Sequence, residues 1–174
     1  TRPATQAADW VVKLRAKGID AVALPLIAIT PAVNTLPVVL AWVRLAQRKL
    51  VVFVSPNAVE QFFAVKPAGM FWPANVLAGS TGPGTSQALL ALGVPRENLV
   101  EPAASATQFD SEALWTQLAS KDWQGANVLM VRGDGGREWL ADQLRGQGAQ
   151  VSTVVAYHST APRFTEAQRA LLKA

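Results

Sequence analysis

Apolar runs that stop at a small, hydroxyl- or glycine-rich loop and restart as a helix-periodic segment recur along this chain. That alternation constrains its fold most. The clearest run is 50–54, continuously apolar, as expected of a parallel strand covered on both faces. Ser55-Pro56-Asn57 follows, and the spacing then predicts a helix over 58–65. The pattern repeats with a short strand at 76–78, the loop Gly82-Pro83-Gly84-Thr85 and a helix over 86–92 closed by Gly93. A strand at 99–102 precedes a helix over 112–119 capped by Asp110 or Ser111. A strand at 128–131, the loop Arg132-Gly133-Asp134-Gly135-Gly136, a helix over 137–147 and a strand at 151–157 complete the series. The predicted class is α/β with parallel sheets and helices on both faces.

The flanks differ from this middle. Ala7, Trp10, Val11 and Leu14 recur at helical spacing over 4–17, and Gly18 stands where a C-terminal cap belongs. Residues 21–29 read as a strand in which Pro25 demands an edge position or a bulge. Residues 30–37 carry two prolines and an asparagine and read as a linker, followed by a helix over 38–47. Pro162 marks a second linker before a helix starting at Thr165. The expected organisation has two lobes joined by two extended linkers. Residues 1–30 are the first part of a discontinuous lobe, 31–37 a linker, and 38–160 a complete second lobe. Residues 161–174 are the return linker and the start of the first lobe's second part, whose remainder is not in this sequence.

Composition removes several chemistries. The chain has no cysteine and one histidine, His158, which excludes disulfides, thiolate sites and a multi-histidine metal centre. No apolar run is long enough to span a bilayer, and the start lacks a signal-peptide pattern. Lys and Arg total 16 against 12 Asp and Glu, a net charge of +4, with the basic residues scattered. That balance suits solubility or an acidic small ligand better than nucleic acid, which calls for a dense basic stripe. The six tryptophans read as packing and not as a base-stacking row.

Three loops leave strands and open helices: Ser55-Pro56-Asn57, Gly82-Pro83-Gly84-Thr85 and Gly133-Asp134-Gly135-Gly136. The free N–H groups of a helix start favour an anion, and glycine lets a ligand approach the backbone. Taken singly, each loop is satisfied by turn and cap chemistry. Three in one lobe point to a shared ligand face at the carboxyl ends of the strands. Nucleotide-binding glycine motifs are not met. Tyr157, the only tyrosine, ends a strand beside His158, where it either anchors the strand end or offers a proton to a leaving group. His158 is expected to point away from it, because strand neighbours alternate faces.

The motifs in order resemble the uroporphyrinogen-III synthase family. Thr1-Arg2-Pro3, Gly18 and Leu24-Pro25-Leu26 are similar to its start, and Phe53-Val54-Ser55-Pro56-Asn57-Ala58-Val59 to its first long signature. Gly82-Pro83-Gly84-Thr85 with Ala88-Leu89 and Gly93 is similar to its second, with Ser86 in place of a more usual alanine. Phe109-Asp110-Ser111-Glu112-Ala113-Leu114, Arg132-Gly133-Asp134-Gly135-Gly136-Arg137 and Val155-Ala156-Tyr157 follow in family order. The resemblance implies two α/β lobes, a cleft between them, and a cytoplasmic, monomeric enzyme needing no metal or cofactor. Its substrate is hydroxymethylbilane, a linear tetrapyrrole with eight carboxylates, delivered by the preceding pathway enzyme. It is cyclised to uroporphyrinogen III with loss of water and inversion of the last ring, on the route to haem, sirohaem and cobalamin. By resemblance Tyr157 assists hydroxyl loss, and Ser55, Asn57, Ala58, Gly82, Thr85, Gly133 and Gly136 line the substrate site. Arg132 pairs with a substrate carboxylate or forms a structural salt bridge. The alternative is a non-catalytic α/β module binding a small phosphorylated or carboxylated ligand.

Overall fold

The computed structural model describes residues 2–173. Along the chain it forms α1 (Ala4–Arg15), β1 (Ala28–Pro31), α2 (Leu36–Val43), β2 (Leu50–Phe53), α3 (Pro56–Ala64) and β3 (Leu77–Ser80). Next come α4 (Pro83–Ala91), β4 (Leu99–Val100), α5 (Ser111–Leu118), β5 (Asn127–Gly133), α6 (Trp139–Gly146), β6 (Gln150–Thr160) and α7 (Glu166–Lys173). Short 3-10 turns at Leu45–Gln47 and Arg96–Asn98 lead into β2 and β4. The strands form one sheet in the order β1-β6-β5-β2-β3-β4. Strands β2 to β6 pair in parallel.

β2 is the hub because it is apolar on both faces. All four of its residues are fully buried. Leu50 and Val52 pack with Val128 and Met130 of β5 against Leu114 and Leu118 of α5 and Leu140 and Leu144 of α6. On the opposite face, Phe53 meets Phe62 of α3 edge-on, with ring centroids 5.4 Å apart. Trp42 of α2 stacks on Phe62 at 4.7 Å and meets Phe63 edge-on. Its indole N–H donates to the Phe62 carbonyl at 2.8 Å, so this buried polar atom is satisfied. The alternation of side chains along a strand thus puts helices on both faces, as the apolar run at 50–54 required.

Helix starts follow local chemistry. Ser55 caps α3 by accepting from the Ala58 N–H at 3.1 Å, and Pro56 begins the helix. Gly82 precedes α4, again with proline at the first position. Asp110 caps α5, accepting from the Ala113 N–H at 2.9 Å.

Several expectations are corrected. Residues 21–27 hold no strand, and β1 occupies only Ala28–Pro31. Apolar composition does not make a strand without a pairing partner, and Pro25 has no N–H to offer one. Within 31–37, Pro31 ends β1, and Leu36 and Pro37 already belong to α2. β6 runs on to Thr160, three residues past the expected end at Tyr157. The predicted helix over 137–147 starts only at Trp139. Gly136 sits at a φ of +144°, outside helical conformation, and glycine is a poor helix former, so 134–138 stays a loop.

The chain divides into two compact units, one comprising residues up to Thr30 with those from His158 onward, the other Pro31–Tyr157. Among the described residues no helix is long and apolar enough to cross a membrane. Replacing Trp42 with alanine removes its stacking, its hydrogen bond and a fully buried ring. A stability loss of about 3–5 kcal/mol is expected, measured by urea unfolding.

Candidate functional site

Parallel pairing brings the loops after β2, β3 and β5 to one edge. Phe53 lies opposite Ser80 on one side and Val131 on the other, so β2 and β3 end level while β5 runs on two residues to Gly133. Thr81 Oγ1 donates to the Val54 carbonyl at 3.2 Å, tying the second loop to the first. A side chain at Gly84 would touch the Pro56 ring at 3.4 Å, so the starts of α3 and α4 are immediate neighbours.

The sheet edge has one irregularity, and it places Tyr157. Down β5 and β6 the register is regular to Arg132 opposite Val155, but Gly133 lies opposite Tyr157. Ala156 is the extra residue of a β-bulge. The bulge changes the phase of the strand, so Ala156 and Tyr157 are both buried although they are neighbours. The Tyr157 ring lies flat against the Gly133 backbone. A Cβ at Gly133 would stand 2.7 Å from ring atom Cε2 and 2.8 Å from Cζ, closer than packed atoms approach. The Tyr157 hydroxyl then meets Ser55 Oγ at 3.0 Å. Tyr157, Ser55 and Gly133, from three separate segments, form one contiguous group.

The other candidates divide. Ala58 has a fully buried side chain, and its N–H is committed to Ser55 Oγ. Asn57 lies in the first turn of α3. Gly82 is packed under Phe109, whose Cβ is 3.4 Å from where a side chain would start, and it lines a cavity of about 300 Å³ with Pro83, Glu101, Pro102, Ala104 and Phe109. Thr85 is buried within α4. A Cβ at Gly136 would stand 3.9 Å from the Arg132 side chain. Arg132 pairs with Glu138 at 2.5 Å, and Glu138 also reaches Arg145 at 3.4 Å. Arg132 Nε is buried and has no hydrogen-bond partner.

Charge at this edge is internally matched to a degree the net charge does not suggest. Arg137 and Glu112 at the start of α5 form a close ion pair. Its hydrogen bond from Arg137 holds the Glu112 carboxyl below the usual carboxylate range, and Glu112 pushes the Arg137 guanidinium up in turn. Both groups are exposed, so the pair contributes little to stability and is screened by salt.

Three features escaped sequence reasoning. The bulge has no sequence signal. Glu138, which no sequence pattern singles out, is the shared acid for Arg132 and Arg145. Ser86, the departure from the family pattern, is buried, and its hydroxyl donates to Ser80 Oγ at 2.8 Å, while Ser80 Oγ donates to the Gly82 carbonyl at 2.8 Å. The adjacent hydroxyls Ser80 and Thr81 before Gly82 were the available hint. Among the described residues no group of His, Asp and Glu is arranged to hold a metal ion.

A parallel sheet covered on both faces, with polar loops gathered at the carboxyl edge of its strands, places the chain among the α/β proteins, a class in which ligands generally bind at that edge. The family model for uroporphyrinogen-III synthase HemD matches residues 8–174, and the chain belongs to that family. It is 29% identical over 167 residues to the uroporphyrinogen-III synthase of Synechococcus elongatus, a match covering 93% of this chain and 60% of that protein. Its fold is similar to a mutant uroporphyrinogen III synthase of Thermus thermophilus, with a TM-score of 0.62 at 15% identity over 91% of this chain and 60% of that one. The wild-type Thermus enzyme in a second crystal form gives 0.55 at 16% identity with the same coverage. The chain thus spans 60% of the length of these relatives.

Two outcomes test this geometry. Gly133→Ala must displace the Tyr157 ring, so it should destabilise the protein by about 1–3 kcal/mol, read from thermal or urea unfolding. Arg137→Gln should raise the Glu112 titration midpoint toward an ordinary carboxylate value, followed by NMR. The folded-state value of Glu112 is depressed, so the pair's small contribution exists above the unfolded-state value and is lost as pH falls through the folded-state value.

Proposed function

We propose that the protein to which this chain belongs closes the linear tetrapyrrole hydroxymethylbilane into uroporphyrinogen III, a step of tetrapyrrole biosynthesis, with this sheet edge forming part of the substrate site. Family membership supports the reaction, and the Tyr157–Ser55–Gly133 group carries the assignment of the edge. In this reading Tyr157 is the general acid. Its phenolic proton passes to the oxygen of the terminal hydroxymethyl group, the carbon–oxygen bond breaks with its electron pair on oxygen, and water leaves. The pyrrole nitrogen supplies the electrons that stabilise the resulting azafulvene cation. The last ring attacks this cation through its substituted carbon to give a spiro intermediate; the bond from that carbon to the neighbouring ring's methylene then breaks, and that methylene re-bonds to the last ring's unsubstituted carbon, which closes the macrocycle with the ring inverted. The proton lost when that pyrrole regains aromaticity restores the phenol.

The substrate's own electron-rich rings drive most of these steps, so the protein's task is chiefly to position them. The positive ends of α3 and α4 stand at this edge and favour the carboxylates of the linear tetrapyrrole. Asn57, Gly82 and the Gly135-Gly136 segment offer the polar, low-bulk surface that close approach requires. Arg132 acts through its pairing with Glu138: a substrate carboxylate arriving there competes with that acid for the guanidinium. A monomer in the cytoplasm is the expected form, with no metal or cofactor needed for this chemistry.

Full-length protein given hydroxymethylbilane should yield the type III isomer above the spontaneous type I background, resolved by chromatography of the oxidised porphyrins. Type I alone would overturn the cyclase reading. Tyr157→Phe should lower kcat about a hundredfold or more while product affinity stays nearly unchanged, as for loss of a general acid. Unchanged turnover would remove that role from Tyr157.

A further inference from the structure

We infer that Ser55 and Gly133 are positioning residues for Tyr157, and that Ser55 donates its hydrogen bond to the phenol oxygen so that the tyrosine proton is left pointing at the substrate. The inference rests on the cyclase reading for its kinetic consequence, but its geometry stands without it.

At this distance either hydroxyl could be the donor, and the cap bond that Ser55 already accepts is what favours Ser55. A serine hydroxyl has one proton and two acceptor positions. Ser55 Oγ already accepts the Ala58 N–H at 3.1 Å as the cap of α3. Accepting a helix-start N–H polarises the hydroxyl and makes it a stronger donor, an effect that the positive end of the helix reinforces. The nearest acceptor is the Tyr157 hydroxyl at 3.0 Å. The chain therefore runs from the Ala58 N–H to Ser55 Oγ, and from the Ser55 O–H to the Tyr157 oxygen. The phenol proton has no place in that chain and stays available for transfer. Once it has gone, the same Ser55 O–H and the start of α3 face the negative charge left on the phenol oxygen.

Gly133 supplies the second constraint. The ring rests where a Cβ of residue 133 would be, 2.7 Å from Cε2, so only glycine leaves room for it. Both Gly133 and Tyr157 are buried, and the bulge at Ala156 brings them opposite each other. Two constraints fix a phenol well: a flat backbone seat under the ring and a directed donor at its oxygen. Each comes from an element that the sheet already holds in place.

Ser55→Gly is the informative variant, because glycine is nearly as good a helix cap as serine but has no hydroxyl. Two readouts are used on the full-length protein. The Raman doublet of tyrosine, taken as the difference from Tyr157→Phe, reports whether this phenol accepts or donates a hydrogen bond. In Ser55→Gly it should shift away from the acceptor state, and Ser55→Thr should restore it. In steady-state kinetics Ser55→Gly should lose about tenfold in kcat with KM little changed, and Ser55→Thr should recover most of that loss. In a Tyr157→Phe background the same substitution should cost almost nothing further, because the two residues act as a unit. A doublet that stays put, or shifts toward the acceptor state, overturns the direction of the bond. Equal kcat losses with and without the tyrosine hydroxyl overturn the positioning role. Failure of the wild type to make the type III isomer would refute the cyclase reading alone, leaving the Raman arm to decide the hydrogen bond.

Discussion

Burial of β2 on both faces is the constraint from which the rest of the Pro31–Tyr157 unit follows. Leu50 and Val52 look toward α5 and α6, and Phe53 toward α2 and α3. Its neighbours β3 and β5 run parallel to it, as in sheets covered on both faces, and parallel neighbours need crossover connections, here helical. Those crossovers return every loop after a strand to the same edge. The proximity of Ser55, Gly82 and Gly133 is therefore a consequence of core packing, not of any attraction among the loops.

On that regular frame a single bulge does disproportionate work. Were the register regular, the residue opposite Gly133 would be Ala156 and not Tyr157. The tyrosine then would not lie over the glycine or reach the cap of α3. The missing Cβ and the extra strand residue are two halves of one arrangement. Gly133 has an ordinary backbone conformation, so its importance lies in close approach and not in φ.

The loop after β5 behaves differently from the other two. Ser55 and Gly82 stand directly at helix starts, whereas five residues separate Gly133 from Trp139. Ion pairs surround that loop instead: Arg132 with Glu138, Arg145 with Glu138 and Asp142, and Arg137 with Glu112. Helix-start chemistry therefore describes two of the three loops, and ion pairing the third.

Hydrophobic periodicity, caps and turn residues are local properties, and the sequence by itself determined what depends on them. The α/β class, the apolar run at 50–54, Asp110 as one of two cap candidates for α5, the place of Gly82 and the family motifs were all legible. Residues 21–29 show the limit: an apolar run is a strand only if another strand lies beside it, and pairing is not local. The same limit hid the bulge, the seat of Tyr157 on Gly133, the Ser80–Ser86 hydroxyls and the sharing of Glu138 by two arginines. Each depends on register or on contact between segments far apart in the chain. Only tertiary structure decides those, because a one-residue change in register turns every following side chain to the other face.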